Sequence, residues 1–449
     1  MVGNDIKMKE NIEGQRIYNL SKRLFPIYRH LTGDGVRETL SLIDDYIANG
    51  ESGISLEIIE IPSGTRVFDW TVPREWMIEN GYVEDKDGNR IIDIKNNNLH
   101  VVAYSTAIDK WVDLDELKKH IYSLPSQPEV IPYVTSYYKD MWGFCMSDKM
   151  KNSLSPGKYH AVIESRHFDG SLTYGEIVIP GKEKNEIFFS TYICHPSMAN
   201  NECSGPSLAA ELIRYVYGLP SRRYTYRFIF IPETIGSISY LATKDHLQWM
   251  KKSMKCGFNL TCVGDDRTYS MVKTRYGNTY ADKVLQNVIT STCGANCNIY
   301  SFLDRGSDER QYCAPGVDLP VVGFSRSMFH KYPEYHTSAD DLGIISPSGF
   351  QGSFDVITNA INCIENDYYY KTSVFCEPQL GKRDLYPNVS RKNSSDGVLK
   401  MSNFLAYADG KNDIFDISEI VGVPANEIIE MAELLSSEGL VSRTENVIQ

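Results

Sequence analysis

The sequence predicts an α/β fold: a mixed, mainly parallel sheet sandwiched by helices, interrupted by a β-rich segment and closed by a C-terminal winged helix. Three observations predict it. Apolar runs without alternation, at 187–193, 226–231, 256–263 and 319–324, alternate with helical patterns, and strands apolar on both faces need helices above and below them. Residues 69–148 change texture to short alternating runs with Asp-Gly and Gly-Asn turns, as β hairpins do. From Ser395 onward, three short helical patterns lead into Gly439-Leu-Val-Ser, which reads as a winged helix with a hairpin-like end.

Element by element, residues 11–31 place Ile17, Leu20, Leu24, Ile27, Tyr28 and Leu31 three and four apart. Residues 36–48 do the same with Leu40, Leu42, Ile43 and Ile47, so two helices open the chain. A strand follows at 55–61. Within the β-rich stretch, 90–95 and 99–104 read as strands, and the aromatic runs at 131–138 and 142–145 suit an interface or a pocket wall. Helical patterns at 206–217, 238–250, 281–292 and 350–367 then separate the apolar strands. The last piece holds a helix through Leu405 and two more at 416–421 and 424–438. The expected domains are 1–66 with 160–375, an inserted β-rich domain at 67–159, and the winged helix at 376–449.

Composition narrows the function. The chain has 449 residues and a formal net charge of −12, with 42% hydrophobic and 23% charged residues, which excludes disorder. The acidic balance argues against a generic phosphate-backbone binder. No apolar run approaches the ~18–20 residues that cross a bilayer, and Met1-Val-Gly-Asn-Asp shows no secretory h-region, so no membrane association is expected. Ten cysteines without a CxxC pair read as reduced thiols in a cytoplasmic protein. The 29 tyrosines outnumber the 17 phenylalanines, which suits half-buried, hydrogen-bonded aromatic positions.

The strongest local signal is Ser190-Thr-Tyr-Ile-Cys-His-Pro-Ser-Met-Ala-Asn-Asn-Glu-Cys-Ser-Gly205. A buried strand ends in His195, then a loop with Asn201 and Glu202 opens a helix, the place where α/β sheets bind ligands. Imidazole and oxygen donors suit zinc. The next strand ends in Phe228-Ile-Phe-Ile-Pro-Glu-Thr-Ile-Gly-Ser237, where a partly desolvated Glu233 suits general-base work; a helix-cap carboxylate is the simpler alternative. Gly306-Ser-Asp-Glu-Arg-Gln-Tyr312 and Tyr332-Pro-Glu-Tyr-His-Thr-Ser-Ala-Asp-Asp341 complete the set, with Asp340 placed to hold the second nitrogen of His336. The remaining histidines read as structural or exposed. A nucleophile at Cys194 is disfavoured, because neighbours on a strand point to opposite faces of the sheet.

Taken in order, these segments resemble the co-catalytic zinc aminopeptidases over about residues 1–60 and 160–375. The whole chain is similar to a bacterial family of three-domain aminopeptidase-like proteins, in which a β-rich domain interrupts the peptidase domain and a winged helix follows. Cys194-His-Pro-Ser-Met-Ala-Asn200, Pro232-Glu-Thr-Ile-Gly-Ser237, Ser307-Asp-Glu-Arg-Gln-Tyr312 and Tyr335-His-Thr-Ser338 carry that closer likeness. The resemblance implies metal ligands at His195 and His336 and a general base at Glu233. It also associates such proteins with surface-polysaccharide loci. Three ligand positions depart: the bridging Asp falls on Asn201, a Glu on Thr234 and a later Asp on Thr261. All three changes remove a negative charge, so two adjacent dications would repel with little compensation.

One zinc, held by His195, His336 and the Asn201 oxygen with Glu233 as base, is the expectation, and a small loop shift would bring in Glu202. Asp308 is expected at a substrate amino group, with Arg310 either beside the substrate or paired to Asp308 as scaffolding. Two functions stay open: a single-zinc hydrolase cleaving an amide next to a free amine in a small peptide or aminoacyl conjugate, or a catalytically inactive ligand-binding or scaffold protein on the same fold. From residue 396 on, Lys400, Lys411 and Arg443 stand against ten acidic residues, so a protein contact or self-association is expected of the winged helix rather than nucleic acid binding.

Overall fold

Eight strands assemble into the main sheet: β1 (Glu57–Pro62), β2 (Ser171–Ile179), β3 (Glu186–Tyr192), β4 (Thr225–Ile231), β5 (Met254–Leu260), β6 (Tyr269–Val272), β7 (Cys297–Tyr300) and β8 (Val321–Ser325). They lie in the order β1-β2-β4-β3-β5-β8-β6-β7. This computed structural model describes residues 11–48, 53–385 and 395–444; the remaining ends of the expected spans 1–66 and 376–449 lie outside the described residues.

The central strands β4, β3, β5 and β8 are parallel, whereas β1 and β2 join antiparallel at one edge. At the other edge β6 runs antiparallel to β8 and parallel to β7. Every residue of β3 is buried. Because side chains alternate, Phe189 packs with Phe228, Phe258 and the helices Ile12–Leu24, Ser204–Tyr217 and Pro347–Glu365. Its neighbour Phe188 packs on the opposite face with Ile229, Tyr240 and Tyr312. The expected sandwich is therefore the observed one.

A second sheet holds Arg90–Asp93, Glu75–Asp85, Lys158–Phe168 and Ile108–Asp113 in that order, all antiparallel. Its own core includes Val83, Ile92, Val112, Phe144 and Ile163. The strand Lys158–Phe168 straddles the expected boundary at 159/160 yet pairs wholly within this sheet. Residues 99–104 form no strand: Asn97 accepts a hydrogen bond from Leu99 N and starts a short helical turn, Asn98–His100. The helix expected over 238–250 is two helices, Ile235–Ala242 and His246–Ser253, parted where Lys244 and Asp245 take φ of 51° and 57°.

At the C-terminal end, helices Ser395–Tyr407, Ile414–Val421 and Ala425–Ser437 lead to the strand Val441–Thr444. That strand is not half of a local hairpin; it pairs antiparallel with Tyr369–Thr372, some seventy residues upstream in sequence. Ile414 N donates to Asp367 and Lys283 pairs with Asp416 at 2.6 Å, tying this module to the main body. Among the described residues, no helix is long and apolar enough to cross a membrane. All ten cysteines are free thiols.

Candidate active site

Beyond β3 the chain carries Cys194 and His195 over the sheet edge and into a wide turn, Ala199–Cys203, that opens helix Ser204–Tyr217. Gly205 permits this: a Cβ there would stand 2.3 Å from Thr191 Oγ1 and 2.5 Å from the Leu260 carbonyl oxygen, so only glycine lets the helix start against the sheet. The turn is held from below by Asp340, whose carboxylate accepts from Asn200 N at 2.6 Å, Asn201 N at 3.0 Å and the Tyr332 hydroxyl at 3.0 Å. Burial pushes the Asp340 carboxyl up to about 7 against those three donors.

His195 is buried, and its Nδ1 lies 2.8 Å from Glu202 Oε2. Glu202 is therefore behind the imidazole, orienting it, rather than waiting to be brought in. The equally buried Arg29 donates to the His195 carbonyl at 3.0 Å and stands 3.7 Å from Glu202 Oε1. Burial opposes the imidazolium, but the Glu202 hydrogen bond and the charges of Glu202 and Glu233 outweigh it, raising the His195 pKa.

Nε2 of His195 faces Glu233, whose Oε2 is 3.8 Å away. Glu233 follows β4; burial raises its carboxyl pKa, although His195 and Arg310 pull it back. Thr234 comes next with φ of 64°, a strained conformation for a β-branched residue. Asp308 holds it there by accepting from Thr234 N and from Ser237 Oγ, each at 2.8 Å. Arg310 donates to Thr234 Oγ1.

His336 arrives from a distant loop, its own φ at 56°. Its ring centre is 5.3 Å from that of His195, and it stacks on Tyr335 at 3.9 Å. Tyr133 lies against both imidazoles, at 5.1 and 5.3 Å, and its backbone N donates to the His336 carbonyl. Burial, with His195 and His330 nearby, lowers the His336 pKa to about 2, which keeps the ring neutral with a lone pair to offer. A cavity of about 390 Å³ opens over these groups, lined by His195, Glu233, Thr234, Arg310 and His336 below and by Trp70, Tyr133, Tyr137 and Tyr138 above.

The structure thus brings His195, Glu233 and His336 together, as the resemblance implied. Four expectations are corrected. Asp340 does not touch His336; both its oxygens are spent on the Asn200–Asn201 turn. Asp308 has no exposed surface and does not line the cavity, because the Thr234 turn covers it. Arg310 pairs with the Thr234 hydroxyl instead of Asp308. Cys194 Sγ lies 3.3 Å from His195 Nδ1, because the alternation argument ends where β3 ends, at Tyr192. The aromatic run at 131–138, expected at an interface or a pocket wall, supplies Tyr133, Tyr137 and Tyr138 to the cavity, whereas Trp70 was not expected there.

Asn201 donates its amide to the Tyr192 hydroxyl at 2.7 Å, and the same hydroxyl bonds Thr261 Oγ1. The phenol therefore satisfies two of the three positions where the resemblance calls for carboxylates, and Arg310 satisfies the third. Two dications do not fit this neutral, already bonded set. One does: two imidazoles on a single tetrahedral zinc have ring centres ~5 Å apart, and Asn201 Oδ1 is buried without any partner. Cys194, His195 and Glu202 also offer donor atoms within 4.8 Å of one another, but the His195–Glu202 hydrogen bond already uses two of them.

Comparison with known proteins adds the following. A family model described as Domain of unknown function (DUF4910) matches residues 18–367, and a winged helix-turn-helix model matches 367–443. A Clostridium acetobutylicum protein, provisionally named for polysaccharide biosynthesis and an aminopeptidase-like domain, is 41% identical over 427 residues, 94% of this chain and 95% of that one. A solved structure from Clostridium acetobutylicum, named provisionally as a peptidase, aligns with a TM-score of 0.88 at 39% identity over 97% of both chains. BSAP, a zinc aminopeptidase from Bacillus subtilis, aligns with a TM-score of 0.56 at 14% identity over 78% of this chain and 93% of its own, a likeness of fold.

Proposed function

The chain belongs to the DUF4910 family, and on that premise we propose that it is a single-zinc amide hydrolase of aminopeptidase type, acting on a small peptide or aminoacyl conjugate. The observation that carries this reading is the 5.3 Å spacing of the His195 and His336 rings, with Glu233 3.8 Å from His195 Nε2. His195 Nε2 and a nitrogen of His336 would hold the ion, with the unpartnered Asn201 Oδ1 as third donor. When bound, zinc supplies the charge that polarises a carbonyl and lets water act as a nucleophile near neutral pH.

The chain's own groups do the rest. Glu202 fixes the tautomer of His195 by accepting its Nδ1 proton, which aims Nε2 into the cavity. Glu233, ionised, accepts the proton that the attacking water loses and returns it to the departing nitrogen. Tyr133 and Tyr137 share a hydroxyl–hydroxyl bond of 2.7 Å, and burial raises both pKa values, so they keep their protons and exclude bulk water from one side. The expected free amine beside the scissile bond draws no support from Asp308, which has no exposed surface.

A second reading, a ligand-binding protein without turnover, is favoured by the Tyr192 and Arg310 hydrogen bonds that occupy Asn201, Thr261 and Thr234. Elemental analysis decides between them. Zinc near one equivalent, with activity on an aminoacyl-nitroanilide lost in Glu233→Gln, supports the hydrolase. Less than about a tenth of an equivalent after zinc addition overturns it. The name of the Clostridium relative motivates trying conjugates from polysaccharide biosynthesis as substrates.

We read the winged helix as a protein-contact or self-association surface. Lys400, one of its few cations, is already paired with Glu427 at 2.9 Å, and its acidic surplus repels phosphates. A salt-dependent gel shift with generic duplex DNA would overturn this.

A further inference from the structure

Arg310 is a cation that acts on the nearby charges of Glu233 and Asp308 but forms no ion pair with either. It lines the cavity beside Glu233, His195 and Thr234. One terminal nitrogen donates to Thr234 Oγ1, while Nε is buried without a partner. No ion pair among the described residues includes it, whereas other partly buried arginines are paired: Arg37 with Glu75 at 2.6 Å, Arg227 with Glu186 at 2.8 Å and Arg267 with Glu334 at 2.7 Å.

The acids nearest in sequence make their hydrogen bonds elsewhere, although Asp308 Oδ2 has no partner. Asp308 accepts from Thr234 N and Ser237 Oγ, and burial with Glu233 nearby pushes its carboxyl up to about 7. Glu309 accepts from Gly306 N, Ser307 N and Asn259. A partly desolvated guanidinium left in this state is costly, and its other terminal nitrogen, which no hydrogen bond among the described residues engages, is left to donate to a carboxylate. The strained backbone at Thr234 sets the hydroxyl on which Arg310 rests, so the guanidinium is held in place rather than left to swing.

We propose that Arg310 binds a free carboxylate of the substrate, so that the cavity takes a dipeptide or short peptide whose carboxylate lies close to the scissile amide, with its apolar part against Trp70, Tyr137 and Tyr138. The cavity volume of about 390 Å³ suits a ligand of that size. The substrate class, not the binding itself, rests on the hydrolase reading above.

The test is calorimetry on the full chain, with zinc and separately with chelator, using N-acetyl-phenylalanine and its neutral carboxamide as probes. The expected result is binding of the carboxylate about tenfold or more tighter than the amide, a preference that falls below about twofold in Arg310→Gln and is partly restored in Arg310→Lys. Equal binding, no binding of either probe, or a preference that survives Arg310→Gln overturns the proposal. Discrimination that persists under chelator, with less than about a tenth of an equivalent of zinc taken up, retains Arg310 as the carboxylate site and removes the hydrolase instead.

Discussion

Glu202→Gln is the sharpest test of how the site is built. Glu202 and Arg29 are each 1% exposed, with Oε1 3.7 Å from Nε. At that distance, with an effective dielectric of about 20, their attraction is about 4 kcal/mol. Glutamine keeps an acceptor for His195 Nδ1 but removes the charge, leaving Arg29 buried with only carbonyl, hydroxyl and thiol partners. Breaking a buried pair in this way costs ~3–5 kcal/mol, and we expect about 3 kcal/mol of lost stability by urea denaturation of chelator-treated protein. The loss should depend on pH. The His195 pKa is raised in the folded state, so its contribution is complete below the unfolded value of about 6.5 and disappears as pH rises through the folded value. The variant's deficit should therefore be larger at pH 6 than at pH 9. A loss under about 1 kcal/mol, or a deficit that grows with pH, refutes the Arg29–Glu202–His195 arrangement.

Two further outcomes follow from buried polar groups. Tyr192→Phe leaves the Asn201 amide and the Thr261 hydroxyl with only the Cys262 thiol as partner, and should cost about 1–3 kcal/mol in chemical denaturation; a neutral effect would mean that the phenol does not bridge them. Burial, with Asp367 beside it, pushes the Asp413 carboxyl up to about 6. A raised acid favours folding at low pH and loses that contribution as pH climbs from about 4 to about 6, so Asp413→Asn, which can still cap its helix, should gain on the parent by up to ~3 kcal/mol at pH 7 and by little near pH 4. Melting temperatures across that range check it, and a gain that does not change with pH counts against it.

Much of the fold was legible because burial on both faces writes itself into sequence. Strands β3, β4, β5 and β8 are continuous apolar runs, and their parallel pairing follows from the helices between them. The strands that escaped notice are of another kind. β6 and β7 have four residues each, too few to show a period. The C-terminal strand finds its partner at Tyr369–Thr372, and no local signal encodes so distant a pairing.

For the site, positions just past strand ends pointed to His195 and Glu233, whereas His336, on a loop, was grouped with them by the resemblance to zinc aminopeptidases. Their partners were another matter. Which oxygen holds His195, that Asp340 serves the backbone of a turn, and that a phenol and a guanidinium stand where carboxylates were sought are contacts across folded turns and loops, two of them 7 and 9 residues apart and two 76 and 140 residues apart. Periodicity and spacing report on a chain's local geometry and on which face is buried. Hydrogen-bond partners across a loop cluster depend on positions fixed to about an ångström by the whole core, and that only the folded molecule decides.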